Sequence, residues 1–195
     1  MRSAEAACEA GAGNVVFVHD EDPDVLELFD EGELASILIN FPTPFPKKKR
    51  APRRLTYLDR LMKYRRVLEE GGTVRMRTDS TPFRDFSLTQ LELAGYKIEW
   101  ETDDVRGMFP DEPWSGYERK LVAKGAPVVG FCAVPGLAPE HVEQTAPLSL
   151  VSYLPEDLEN LDYIPFGMQG SIDNIVGYNA NRRKKGLPDW RPPVV

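Results

Sequence analysis

The chain has 195 residues, enough for one domain and a sizeable appendage, and its 42% apolar content can fill a packed core. It has no long apolar run to span a membrane, and its first residues lack the basic start and apolar stretch of a secretory signal. The formal charge is -7, the two cysteines Cys8 and Cys132 form no metal-ligand spacing, and His19 and His141 are the only histidines, which argues against a metal site and for reduced thiols in the cytoplasm.

Residues 3–12, rich in Ala and Glu, predict a helix that ends at glycines. Residues 14–18 (Asn-Val-Val-Phe-Val) predict a buried strand. A short helix is expected over 23–29 and a second buried strand over 35–41. Leu55, Leu58, Leu61, Met62 and Leu68 share one helix face, and Gly71-Gly72 stops that helix. Residues 73–79 predict a strand. Ser80-Thr81-Pro82 then opens a helix with Phe83, Phe86 and Leu91 inward, ending near Gly95. Residues 97–102 and 117–123 predict two more strands, as antiparallel neighbours. Strands alternating with helices indicate the α/β class, a mostly parallel sheet covered by helices. From about Ala126 the chain turns proline-rich, with acidic residues from Glu140 to Asp162 and a basic run Arg182-Arg183-Lys184-Lys185. Residues 126–195 are therefore expected to extend from a domain at 1–125, either as one or two short helices wrapped on it or partly disordered.

The most informative run is Ile39-Asn40-Phe41-Pro42-Thr43-Pro44-Phe45-Pro46-Lys47-Lys48-Lys49-Arg50, followed by Arg53 and Arg54. A strand ends at a proline-rich turn, and the turn opens into a cationic loop. Open α/β sheets bind ligands at the carboxyl ends of their strands. So dense a set of cations on an acidic chain reads as a phosphate attractor beside such an edge. The alternatives are a solvated basic loop or, from Pro-Lys-Lys-Lys-Arg, a nuclear-localisation signal.

These residues resemble the bacterial tRNA (guanine-N7)-methyltransferase family. The family pattern is a strand ending Asn-Phe-Pro-Asp-Pro-Trp-Pro-Lys-Lys-Arg, then Arg-Arg-Leu-Thr opening a helix; here stand Asn40 to Arg50 and Arg53-Arg54-Leu55-Thr56. Gly71-Gly72 before Thr78-Asp79, and Ser115-Gly116-Tyr117-Glu118 before Gly125, match two later motifs. The similarity covers about residues 4 to 130 and leaves out the tail. It implies methyl transfer from S-adenosylmethionine to N7 of a variable-loop guanosine in tRNA. The alternatives are a non-catalytic tRNA-binding remnant and a fragment of a full-length enzyme.

Two departures accompany the match. The family's first strand with its glycine-rich turn, and the acidic residue after its second strand, have no counterpart. The resemblance thus implies a partial Rossmann-like class I methyltransferase sheet lacking the first two strands of the order three-two-one-four-five-seven-six. The edge of the 35–41 strand would then be closed by the 14–18 strand, by the tail, or by a second copy in a homodimer. The other departure is Thr43, which stands where the family has an aspartate assigned to cofactor and catalysis.

The resemblance also implies roles. Asp79 is the leading catalytic and guanine-binding carboxylate, with an N-cap of the next helix as its alternative. Thr43 hydrogen-bonds without charge. Asn40, Thr43 and one of Asp20 or Glu21 meet the cofactor, although an exposed turn carboxylate fits the last pair equally. Lys47 binds substrate, and Lys48, Lys49, Arg50, Arg53 and Arg54 track tRNA phosphates. Ser115, Tyr117 and Glu118 form a late substrate motif, with an ordinary strand core residue as the alternative for Tyr117.

Overall fold

A computed structural model describes residues 2–19 and 24–191. In chain order the elements are helices α1 (Arg2–Glu9) and α2 (Val25–Leu28), strand β1 (Leu34–Asn40), a 3-10 turn (Lys48–Arg53) and helix α3 (Leu58–Val67). Strand β2 (Leu68–Thr78), helix α4 (Thr81–Leu93), strand β3 (Tyr96–Thr102), and helices α5 (Val105–Met108) and α6 (Gly116–Val122) follow. Strand β4 (Val129–Pro135), a 3-10 turn (Leu150–Tyr153) and helix α7 (Gln169–Lys184) complete them.

The four strands form one sheet in the order β1-β2-β4-β3. β1 runs parallel to β2, with Asn40 opposite Arg77, while β4 runs antiparallel to both β2 and β3. This mixed arrangement is that of a Rossmann-like methyltransferase sheet: two parallel strands, then an antiparallel hairpin-like pair at the far edge. Side chains alternate along β2. Val74, Met76 and Thr78 are buried on one face, and Arg75 and Arg77 point to the other. α3 and α4 cover the first face. Their Leu58, Leu61, Phe83, Phe86 and Leu91 are at most 2% exposed, and each such side chain stabilises the fold by roughly 1.5–3 kcal/mol. Leu150, Met168 and Ile172 carry the C-terminal stretch into the same core.

Pro82 in the first turn of α4 suits the expected helix start, and Gly95 (φ +69°) ends it. A Cβ at Gly95 would collide with the carbonyl of Leu137, so the crossing chain requires glycine there. α3 stops earlier than expected, at Val67, and the chain is already extended at Leu68. Gly71 (φ +79°) and Gly72 therefore lie inside β2, beside the register shift against β1.

Three expectations are corrected. Residues 14–18 are not a strand: they make no ladder, and Val16 and Val18 are 87% and 61% exposed. A β-prone segment becomes a strand only where a neighbour takes its backbone hydrogen bonds. Among the described residues nothing pairs with the outer edge of β1, so the 14–18 segment does not close it. β1 is accordingly an edge strand, with Ile39 buried but Leu38 62% exposed. The expected strand over 117–123 is instead helix α6, Gly116–Val122, with its C-cap at Ala123. The antiparallel partner of β3 is instead β4, which lies in the stretch expected to be irregular.

Among the described residues, no helix is long and apolar enough to cross a membrane.

Candidate functional site

β1 and β2 are parallel, so their carboxyl ends open on the same side of the sheet. Just past β1, Phe41 donates its N–H to the Arg77 carbonyl at 2.8 Å and then turns with φ +48°. Phe45 also has positive φ, +43°. Two non-glycine residues in the left-handed region cost about 1–3 kcal/mol each and persist only where the surroundings hold them. Arg54 does the holding. It is fully buried, donates to the carbonyls of Pro44 (2.9 Å), Phe45 (2.8 Å) and Pro46 (3.4 Å), and lies 4.2 Å over the Phe86 ring. Burial lowers its pKa to about 10, so it is charged at neutral pH. Arg54 thus clasps the loop and does not face phosphates, unlike the expectation for it. Lys47, Lys48, Lys49, Arg50 and Arg53 are exposed, and Arg53 stacks 4.9 Å over Phe45.

Asp79 follows β2 directly and is 7% exposed. It is not the cap of α4: Ser80 holds that position, and the Thr78 hydroxyl accepts from the Ser80 N–H at 3.1 Å. The Asp79 carboxylate accepts from the Tyr163 hydroxyl at 2.5 Å. Burial and then this carboxylate push the Tyr163 phenol well above the usual range. Tyr117 stands edge-on to Phe41, with ring centroids 5.6 Å apart, and its phenol is raised by burial and by the charge of Asp79. A cleft of about 290 Å³ exposes Asp79 and Asp85 among Tyr153, Leu161, Tyr163 and Pro165. Burial raises the Asp85 carboxyl against the opposing pull of Arg84. A carboxylate can accept about four hydrogen bonds. Asp79 therefore retains capacity to accept from N–H donors of a ligand in a partly dry, aromatic setting.

α6 presents Tyr117. The Ser115 hydroxyl accepts from the Glu118 N–H at 3.0 Å, which makes Ser-x-x-Glu the start of a helix. That spacing was legible in the sequence and explains why strand-like residues form α6. Glu118 is 2% exposed and ion-paired with Arg106, which also lies 4.4 Å over the Trp114 ring. On the same face of the sheet Glu112 pairs with both Arg75 and Arg77.

Thr43, Lys47, Lys49 and Arg50 share a second cleft of about 320 Å³ with Phe45, Phe166 and Ser171. Asn40 is exposed at the end of β1. Asp20 and Glu21 lie outside the described residues. Tyr163 and Phe166, which border the two clefts, had no sequence signal because they fall beyond the region of resemblance. Among the described residues, no group of three or more His, Cys, Asp or Glu is placed to hold a metal.

A family model described as "Putative methyltransferase" matches residues 2–131. A tRNA (guanine-N(7)-)-methyltransferase of Geobacillus kaustophilus is 36% identical over 118 residues, 60% of this chain and 54% of that protein. Proteins of the same name from Halalkalibacterium halodurans and Limosilactobacillus reuteri are 35% and 32% identical over 130 and 129 residues, 64% and 65% of this chain. The chain spans 54% to 61% of the length of these relatives.

Proposed function

The chain belongs to this methyltransferase family, and we propose that it methylates N7 of a guanosine in tRNA, the reaction for which its relatives are named. The observation that carries the reading is the placement of buried Asp79 at the carboxyl end of β2, beside Tyr117 and on the same sheet edge as the basic loop.

The methyltransferase family implies S-adenosylmethionine as donor. Asn40 and Thr43 suit one wall of its site, because both are polar and exposed at the carboxyl end of β1. Bound there, the donor supplies an electrophilic methyl group. Guanine N7 carries a lone pair and no proton, so the chain need provide no strong general base. Its work is positioning and charge. Asp79 accepts from the N1 and N2 hydrogens of guanine and stabilises the positive charge that grows on the purine. Thr43 contributes a hydrogen bond and no charge. Tyr117 packs beside the base, while Ser115 and Glu118 act through α6, which holds Tyr117 in place. Lys47 through Arg50, and Arg53, meet tRNA phosphates. A tRNA substrate implies work in the cytoplasm.

The test is Asp79→Asn, which keeps shape and the bond from Tyr163 while removing charge. Methyl transfer to tRNA should fall about 10²-fold or more, far beyond any loss of tRNA affinity, since the phosphate contacts of the basic loop remain. Transfer at the wild-type rate would remove Asp79 from the reaction.

A further inference from the structure

We propose that the C-terminal stretch adds a second nucleotide subsite, in which an unpaired nucleotide of the RNA stacks on Phe166 and sets its phosphate against Lys47, Lys49 and Arg50. This rests on the reading of the chain as a tRNA-binding protein. The matched family region ends at residue 131, so Phe166 lies outside it.

Phe166 is 71% exposed, yet its neighbours Pro165 and Met168 are buried and α7 starts one residue beyond Met168. The backbone that carries the ring is thus anchored, and the ring stands in a cleft whose lining includes three cations beside Thr43, Phe45 and prolines. Among the described residues, the lining contains Lys47, Lys49 and Arg50 and no acidic side chain. Its volume of about 320 Å³ falls within the roughly 300–1,000 Å³ of small-ligand sites. A flat aromatic beside several cations is what single-stranded nucleic acid uses: the π-face takes any base and the cations take the backbone. The C-terminal stretch is tied to the loop behind this cleft, because the Leu150 N–H donates to the Pro46 carbonyl at 3.1 Å.

Position supports the assignment. Tyr163 touches Asp79, and Phe166 is three residues further on, at most about 11 Å away along an extended chain. A base on Phe166 would therefore lie near the nucleotide held at Asp79. Stacking makes the subsite tolerant of sequence, because every base offers a π-face.

The test is fluorescence anisotropy of a labelled single-stranded RNA oligonucleotide, titrated at several salt concentrations. Phe166→Ala should weaken binding about tenfold and leave the salt slope unchanged, since no phosphate contact is lost. Phe166→Trp should bind at least as well as wild type. Lys49→Glu with Arg50→Glu should flatten the slope. Because Phe166 is exposed, all variants should melt at the wild-type temperature. Unchanged affinity in Phe166→Ala, with the charge variant still impaired, overturns the subsite but leaves the tRNA reading intact. No RNA binding by the wild-type chain overturns both. A weakened Phe166→Ala in a chain that fails to transfer methyl groups supports the subsite and sinks only the catalytic reading.

Discussion

Arg53 and Arg54 are chain neighbours with opposite duties. Arg53 lies exposed over Phe45, whereas Arg54 is buried with its guanidinium on three backbone carbonyls. The fork geometry of arginine suits such a clasp, and a shorter cation could not reach all three oxygens. Arg54→Met should destabilise the fold by about 2–4 kcal/mol, because the buried carbonyls lose a charged donor. Lys49→Glu, on an exposed side chain, should leave the melting temperature alone. Thermal melts of the two variants side by side check this, and a wild-type melt for Arg54→Met would contradict the clasp. Asp79 shows the same dependence on surroundings. Its sequence context, Asp-Ser-Thr-Pro, suits a helix cap equally well. Only its contact with Tyr163, 84 residues away, reveals a carboxylate facing a cleft.

At the scale of elements, α6 was hidden by its composition and disclosed by its cap. Tyr117, Leu121 and Val122 favour strands, so local propensity pointed the wrong way. Ser115 and Glu118 carried the opposing signal, a capping pair. Ser115→Ala should lose about 1 kcal/mol and lower the melting temperature by a few degrees. An unchanged melt would mean that the Arg106–Glu118 pair alone holds α6. β1, β2, β3, α3 and α4 were legible from periodic apolar residues, and the proline and glycine boundaries of α4 agreed, whereas Gly71-Gly72 misplaced the junction of α3 and β2. β4 was not: its Val-Gly-Phe-Cys-Ala-Val run sits in a proline-rich stretch, and its partners Met76 and Ile98 are distant in sequence. Residues 14–18 failed in the other direction, because strand propensity without a pairing neighbour leaves an exposed extended segment. Of the site, the basic loop and Asp79 could be found from motifs, but the contributions of Tyr163 and Phe166 depended on where the tail returns.

For the molecule as a whole, charge and topology converge on one edge of the sheet. A chain with a formal charge of -7 concentrates exposed cations at Lys47 through Arg50, next to the carboxyl ends of two parallel strands. The C-terminal stretch anchors in the core through Leu150, Met168 and Ile172 and then borders both clefts with Tyr163 and Phe166. A residual activity would therefore depend on the tail as well as on the matched region. The most direct measurement is to incubate the chain with tRNA and S-adenosylmethionine labelled in its methyl group, then cleave the RNA chemically at N7-methylguanosine. The account predicts label in the tRNA and cleavage at one variable-loop guanosine. Absence of label, or label at an atom other than N7, would contradict it.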